Sequence, residues 1–296
     1  MNLKPSLGVS EDSAEATTST NDGNPPGVQE DHQLSGRVYD RQAVLHLLLP
    51  IYTMDSNHQS TILRIGSYGP VEEADNNVMT RWDAFANSTV SGAMWIVGPG
   101  GVPQPSQTSI SSLHCMVKAR ETGLSLLSYS CHARMCEAAG VLSPQQMLLD
   151  MIRCLILKVL MLKRGRHIRT EVDLSAPSLT VLIGRDANIQ TALQMFLHVR
   201  FELAPSYLCV IEGAQYLQDP VDLAHTEDLR QVFAELVKPP LLWTSSRSLP
   251  GATAACISTV GGPVPPTKVY VASDGYVGVL RQLALQGQIE MVRKRR

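Results

Sequence analysis

Large apolar residues are sparse over positions 1–36 and then recur in blocks of two kinds. Short continuous runs bounded by Gly, Ser or a carboxylate read as buried strands, and longer blocks spaced at i, i+3 and i+4 read as helices. By that pattern the strands are 93–97, 124–131, 207–211, 241–244 and 268–272. One helix spans 106–120, with Ile110, Leu113 and Val117 on one face. Another spans 143–162 and opens with Ser143 and Pro144, an N-cap and first-turn pair. On its wheel Asp150, Arg153 and Lys158 share one narrow face and the rest is apolar, which predicts a mostly buried helix. A third spans 186–203, capped by Asp186, with Ile189, Leu193 and Phe196 along one side. A fourth spans 222–237, where Leu229, Val232, Phe233, Leu236 and Val237 repeat with the helical period.

Strand–helix alternation over about 180 residues predicts an α/β fold, a three-layer parallel sheet with helices on both faces. Four segments follow from the pattern. Residues 1–36, rich in Ser, Thr, Asn, Asp, Glu, Gly and Pro, read as a disordered acidic leader, because they bury too little to offset ordering entropy. Residues 37–90 are a helical and loop-rich approach, with short helices at 41–49, stopped by Pro50, and at 80–87, carrying Trp82 and Phe85. Residues 91–248 are the core, within which 164–178 reads as a connection and 179–184 as either a strand or a short helix. Residues 249–296 read as loop, an edge strand, a short helix over 276–285 and a basic C-terminal tail.

Composition narrows the function classes only a little. The net charge of −2 points to no nucleic-acid partner, and the partners expected are proteins. The six acids Glu11, Asp12, Glu15, Asp22, Glu30 and Asp31 lie in the leader, and the chain ends Arg293, Lys294, Arg295, Arg296. The first ten residues lack the apolar core of a signal peptide. The longest apolar block, 147–162, is interrupted by Asp150, Arg153 and Lys158 and is too short to cross a bilayer. The expected location is therefore intracellular, in the cytoplasm. Cys115, Cys131, Cys136, Cys154, Cys209 and Cys256 are scattered, and Cys131, His132 and Cys136 have no second ligand pair, so they read as buried apolar residues and not as a metal site.

Chemistry concentrates at three places. The run Met94-Trp95-Ile96-Val97-Gly98-Pro99-Gly100-Gly101 is a strand entering a glycine-rich turn before a helix, the layout that cradles phosphates. Tyr207 to Ile211 is an apolar strand ending in Glu212, and Leu241 to Thr244 is a strand ending in Ser245, Ser246 and Arg247. In a parallel sheet all three turns fall on the carboxyl edge, where ligands bind. Together these segments resemble the NACHT and related STAND-type P-loop NTPases abundant in filamentous fungi, over residues 80–248. The resemblance implies a P-loop NTPase-like fold in which the Gly98 turn is the Walker A loop, Glu212 the Walker B acid and Arg247 a residue after the sensor strand. It also implies ATP with Mg2+ as cofactor, binding as a switch for assembly. The candidate cofactor-binding residues are Gly98, Gly100, Gly101, Ser106, Glu212 and Arg247, with Thr108 and Ser109 as alternative hydroxyls.

The departures from that pattern are chemical. Counted from Gly98, the second Gly, the Lys and the Ser/Thr of Gly-x4-Gly-Lys-Ser/Thr fall on Pro103, Gln104 and Pro105. Gln104 lacks the phosphate-binding charge, and the prolines remove N–H donors. Lys118 lies about three turns along the helix, too far to replace that charge. The acid pair that follows the Walker B acid in the family falls on Gln215 and Tyr216, leaving Asp219 as the nearest carboxylate. The expectation is a non-hydrolysing interaction or regulatory protein, with no catalytic residue and no resident metal. The alternatives are a weak ATP-binding STAND-type switch, or an accessory or relic protein of a specialised pathway.

Overall fold

The computed structural model describes residues 37–54, 76–88, 90–101, 106–121, 123–137, 142–184, 187–203, 207–238 and 267–293. All lie within one unit, Gly36–Arg296. The chain enters through β1 (Arg37–Asp40), α1 (Arg41–Leu47) and α2 (Asn76–Asn87). It continues as β2 (Gly92–Gly98), α3 (Gln107–Glu121), β3 (Leu126–Ser130), α4 (Cys131–Glu137) and α5 (Pro144–Leu162). Then come β4 (His167–Thr170), α6 (Ala176–Ile183), α7 (Ile189–Leu203), β5 (Tyr207–Glu212) and α8 (Leu223–Val237). The chain closes with β6 (Thr267–Asp274), α9 (Gly278–Leu285) and β7 (Glu290–Arg293).

Five strands form a parallel sheet in the order β3-β5-β6-β2-β7. Side chains alternate across it, as the strand period demands. Ala93, Trp95 and Val97 of β2, Cys209 and Ile211 of β5 and Val271 of β6 face a core built with α1, α5, α6, α7, α8 and α9. Met94 and Ile96, Leu208 and Val210, and Tyr270 and Ala272 face the opposite core, built with α2 and α3. Helices therefore cover both faces, and the expected three-layer α/β arrangement is present. The strands are apolar on both sides because neither face meets water.

The longest helix carries the larger core. Ser143 caps α5 by accepting from Gln146 N at 3.2 Å, and the Gln146 side chain accepts from Ser143 N at 3.2 Å. This reciprocal pair satisfies two orphan donors at once. Asp150 on α5 binds Arg134 of α4 at 3.0 Å and Arg153 at 3.3 Å, while Arg153 reaches the carbonyls of Leu182 and Gly184 at the end of α6. Lys158 is buried and donates to the carbonyl of Ser128 on β3, the edge strand. The charged stripe on this helix thus holds neighbouring elements together instead of facing water.

Several expectations need correction. The 164–178 connection contains β4 and the start of α6, and β4 pairs antiparallel with β1. A four-residue ribbon whose paired residues lie 127 to 133 positions apart, from Asp40↔His167 to Arg37↔Thr170, leaves too short a pattern to read locally. The ambiguous stretch 179–184 is helical, within α6. Pro50 does not end the helical region, since 49–54 is helical again and Pro is tolerated in a first turn. The edge strand expected at 268–272 is β6, in the interior between β5 and β2. The basic tail begins later than expected, because Arg293 belongs to β7. The strand at 241–244, Asp186, the leader and residues 294–296 lie outside the described residues.

Candidate functional site

The carboxyl ends of β2, β5 and β6 meet the first turn of α3 on the face that α2 and α3 cover. Each strand brings one group there by the same alternation that builds the core. Gly98 ends β2 and lies in register with Asp274, the last residue of β6. Glu212 ends β5, opposite Ser130 of β3 on one side and Ala272 of β6 on the other. Both acids are followed by glycines with left-handed backbones, Gly213 at φ 77° and Gly275 at φ 91°. At Gly213 a Cβ would stand 3.2 Å from Cys131 Cβ and from His132 N, so the sharp exit from β5 requires glycine.

Glu212 is 4% exposed. Ser109 Oγ donates to its Oε1 at 2.5 Å, and Ser130 Oγ donates to its Oε2. The donors behind these hydroxyls are ordered too. Ser109 N donates to Ser106 Oγ at 3.0 Å, Ser106 Oγ lies 3.2 Å from Ser109 Oγ, and Ala133 N donates to Ser130 Oγ at 3.0 Å. Both oxygens of Glu212 thus accept from serine hydroxyls. Glu212 makes no ion pair among the described residues.

The surroundings register that negative charge. Burial pushes the Cys131 thiol well above its ordinary range, and the charge of Glu212 adds to it. Burial raises the Tyr216 phenol, and the charges of Glu212 and then Asp274 raise it further.

Gly98 is the tightest position. A Cβ there would overlap Thr108 Oγ1 and stand 2.8 Å from Asp274 Oδ1. Thr108 Oγ1 is itself buried without a hydrogen-bond partner. Gly275 N donates to Gly98 O at 2.9 Å, and a Cβ on Gly275 would stand 3.5 Å from Gly100 Cα. The turn after β2 and the turn after β6 are therefore stitched together, and a carboxylate and an unused hydroxyl meet above Gly98.

Of the sequence-derived candidates, the structure brings Gly98, Ser106 and Glu212 together, with Gly100 next to Gly275 and Gly101 at φ 70° just beyond. Ser106 serves as the cap of α3, and the hydroxyl that touches Glu212 belongs to Ser109. Residues 102–105 and Arg247 lie outside the described residues. Lys118 is paired with Asp83. Asp219 accepts from Val221 N at 3.0 Å and Asp222 N at 3.3 Å, so it shapes the turn before α8. Gln215, at one of the expected acid positions, accepts from Asp274 N at 3.0 Å, and Gln218 accepts from Gly278 N at 2.7 Å. Two amides thus latch the turn after β5 onto the end of β6 and the start of α9.

Sequence reasoning missed Ser130 and Asp274. Asp274 had a readable signal, because Ala272-Ser273-Asp274-Gly275 repeats the strand–acid–glycine layout of Val210-Ile211-Glu212-Gly213. Ser130 had none, since a Ser at a strand end is common and its partner is 82 residues away. Among the described residues no group of three or more His, Cys, Asp or Glu side chains has a metal-binding arrangement. No helix of the described residues is long and apolar enough to cross a membrane. No protein-family model matches this chain, and no curated protein matches it.

Proposed function

We propose that this chain is a P-loop NTPase-like protein that does not hydrolyse nucleotide and acts by binding other proteins. One observation carries the reading: the acid at the end of β5 is committed to structure. Both oxygens of Glu212 accept from serine hydroxyls, and the residue where a water-activating acid would stand, Gln215, accepts from Asp274 N. Hydrolysis needs a group able to orient or deprotonate water beside a charge-neutralised phosphate. Among the described residues, serine hydroxyls and no cation bond to Glu212, an electrostatic setting that disfavours a triphosphate. The order of the parts supports the likeness. The glycine turn follows one interior strand, the acid ends another, and β6 lies between them. Steady-state ATP turnover by purified chain is expected to equal that of Glu212→Ala. Turnover well above that control would overturn the proposal.

A second reading, an ATP-binding switch, draws on a separate observation. Thr108 Oγ1 lies in the first turn of α3 with no partner, and a hydroxyl in that place is suited to a phosphate or its cation. Calorimetry with Mg-ATP separates the two readings. The first expects no heat, and the second expects binding that weakens in Thr108→Val and in Glu212→Gln.

A further inference from the structure

Charge nearly cancels over the whole chain but not over one short segment. Residues 163–169 hold Lys163, Arg164, Arg166 and Arg169, with His167 among them and no acid. They run from the C-cap of α5 through the turn after it into β4. Arg164, Arg166 and Arg169 are exposed and Lys163 is half-buried. Arg166 meets Asp40 at 3.4 Å on an exposed surface, while Lys163, Arg164 and Arg169 make no ion pair among the described residues. Cations at a helix C-terminus are favourable in themselves, which accounts for Lys163 and Arg164. Arg169, in a strand, has no such role.

Exposed apolar side chains adjoin these cations. Val38, the cross-strand partner of Arg169, is 55% exposed, and Met161, in the last turn of α5, is 41% exposed. Arg41 Nη2 donates to the Met161 carbonyl and Arg41 N donates to the Arg166 carbonyl, so the two segments form one surface. Val181 is exposed on α6, which packs on α1, and Leu49 and Tyr52 are exposed just after α1. Among the described residues, five of the ten exposed large apolar side chains therefore lie on these adjoining elements. Single exposed apolar residues are ordinary, but their concentration beside uncompensated cations is not.

We infer that this surface docks on an anionic lipid bilayer, with the basic side chains at the headgroups and Val38 and Met161 entering the interface. A bilayer accepts side chains from separate elements without a groove or a backbone register. An extended acidic peptide would take its backbone bonds from a strand edge, and β4 offers only four residues of edge.

Vesicle sedimentation of the full chain tests this, using phosphatidylcholine vesicles with and without phosphatidylserine at low and high ionic strength. Binding is expected only with phosphatidylserine and is expected to fall as salt rises. Each of Lys163→Gln, Arg164→Gln and Arg169→Gln should lower partitioning by about fivefold. Val38→Ser and Met161→Ser should weaken it while leaving the salt dependence unchanged. Thermal melting controls for folding, and if one charge variant melts early the other two carry the test. Equal partitioning onto both vesicle types, or a folded charge variant that binds as the parent does, would overturn the inference. So would binding to soluble polyglutamate with no binding to vesicles, which would assign the surface to an acidic polypeptide.

Discussion

Burying a carboxylate with no cation beside it among the described residues is costly, and at Glu212 serine hydroxyls meet that cost. Removing one donor leaves an oxygen unsatisfied in a dry site, so Ser109→Ala is expected to lose about 1–3 kcal/mol of stability in urea unfolding. In the double variant with Glu212→Gln the loss should be clearly less than the sum of the two, because the charge that needed the hydroxyl has gone. Additive losses would mean that the contact contributes nothing. Gly98 gives a second residue-scale test. Gly98→Ala should destabilise strongly, since its Cβ would overlap Thr108 Oγ1, and Thr108→Ala in the same chain should recover part of that loss. If Thr108→Ala recovers nothing, the close approach of α3 to β2 is wrong. The sequence made Glu212 visible, because an apolar strand ending in an acid is a local pattern. It left Ser109 as one of several hydroxyls and gave no sign of Ser130, because choosing among hydroxyls requires knowing how α3 and β3 sit around β5.

Elements whose ends are written locally were legible, and those whose ends are held from afar were not. The start of α5 could be read from Ser143 and Pro144, and the structure adds the reciprocal Gln146 bond. Ser143→Ala is expected to cost about 1 kcal/mol by thermal or urea unfolding. The end of α2 shows the opposite case. Lys268, in the middle of the sheet, donates to the carbonyls of Phe85 at 2.5 Å and Ala86 at 2.6 Å and to that of Ser88, and its ammonium lies 5.6 Å from the Phe85 ring centroid. Nothing within α2 announces a cap from a residue 180 or more positions away. Lys268→Met should fray the last turn of α2, seen as faster amide exchange at residues 85–88 with little change at β2. The turn into α6 carries a pH dependence. The hydroxyl of Ser178, then that of Ser175, hold the Asp173 carboxyl well below the usual range. A depressed carboxyl contributes stability above its unfolded value of about 3.9 and loses that contribution as pH falls below it. Asp173→Asn should therefore flatten the stability curve below about pH 4 and leave its shape near neutrality unchanged.

At the scale of the whole molecule the decisive feature is strand order. Alternating periods made the α/β class readable, yet they say nothing about which strand lies beside which. That is why β6, near the end of the sequence, read as an edge strand. Its apolar run is buried on both faces, as an interior strand's must be. Among the described residues, it supplies, between β5 and β2, the only hydrogen-bonded link in the sheet from β3 and β5 to β2 and β7. It also brings Asp274 to Gly98, so the candidate site is incomplete until this late segment is in place. The consequence can be tested by truncation. A chain ending at 266 lacks β6, leaves the facing edges of β5 and β2 unpaired and exposes apolar surface from both cores. It should show no cooperative thermal transition and should aggregate. A chain ending at 287 loses β7 and the buried Ile289 before it, and should unfold cooperatively at a lower midpoint, because β3, β5, β6 and β2 still form a continuous sheet. Cooperative melting of the 1–266 chain would show that β5 and β2 hold together without β6, and the strand order would have to be redrawn.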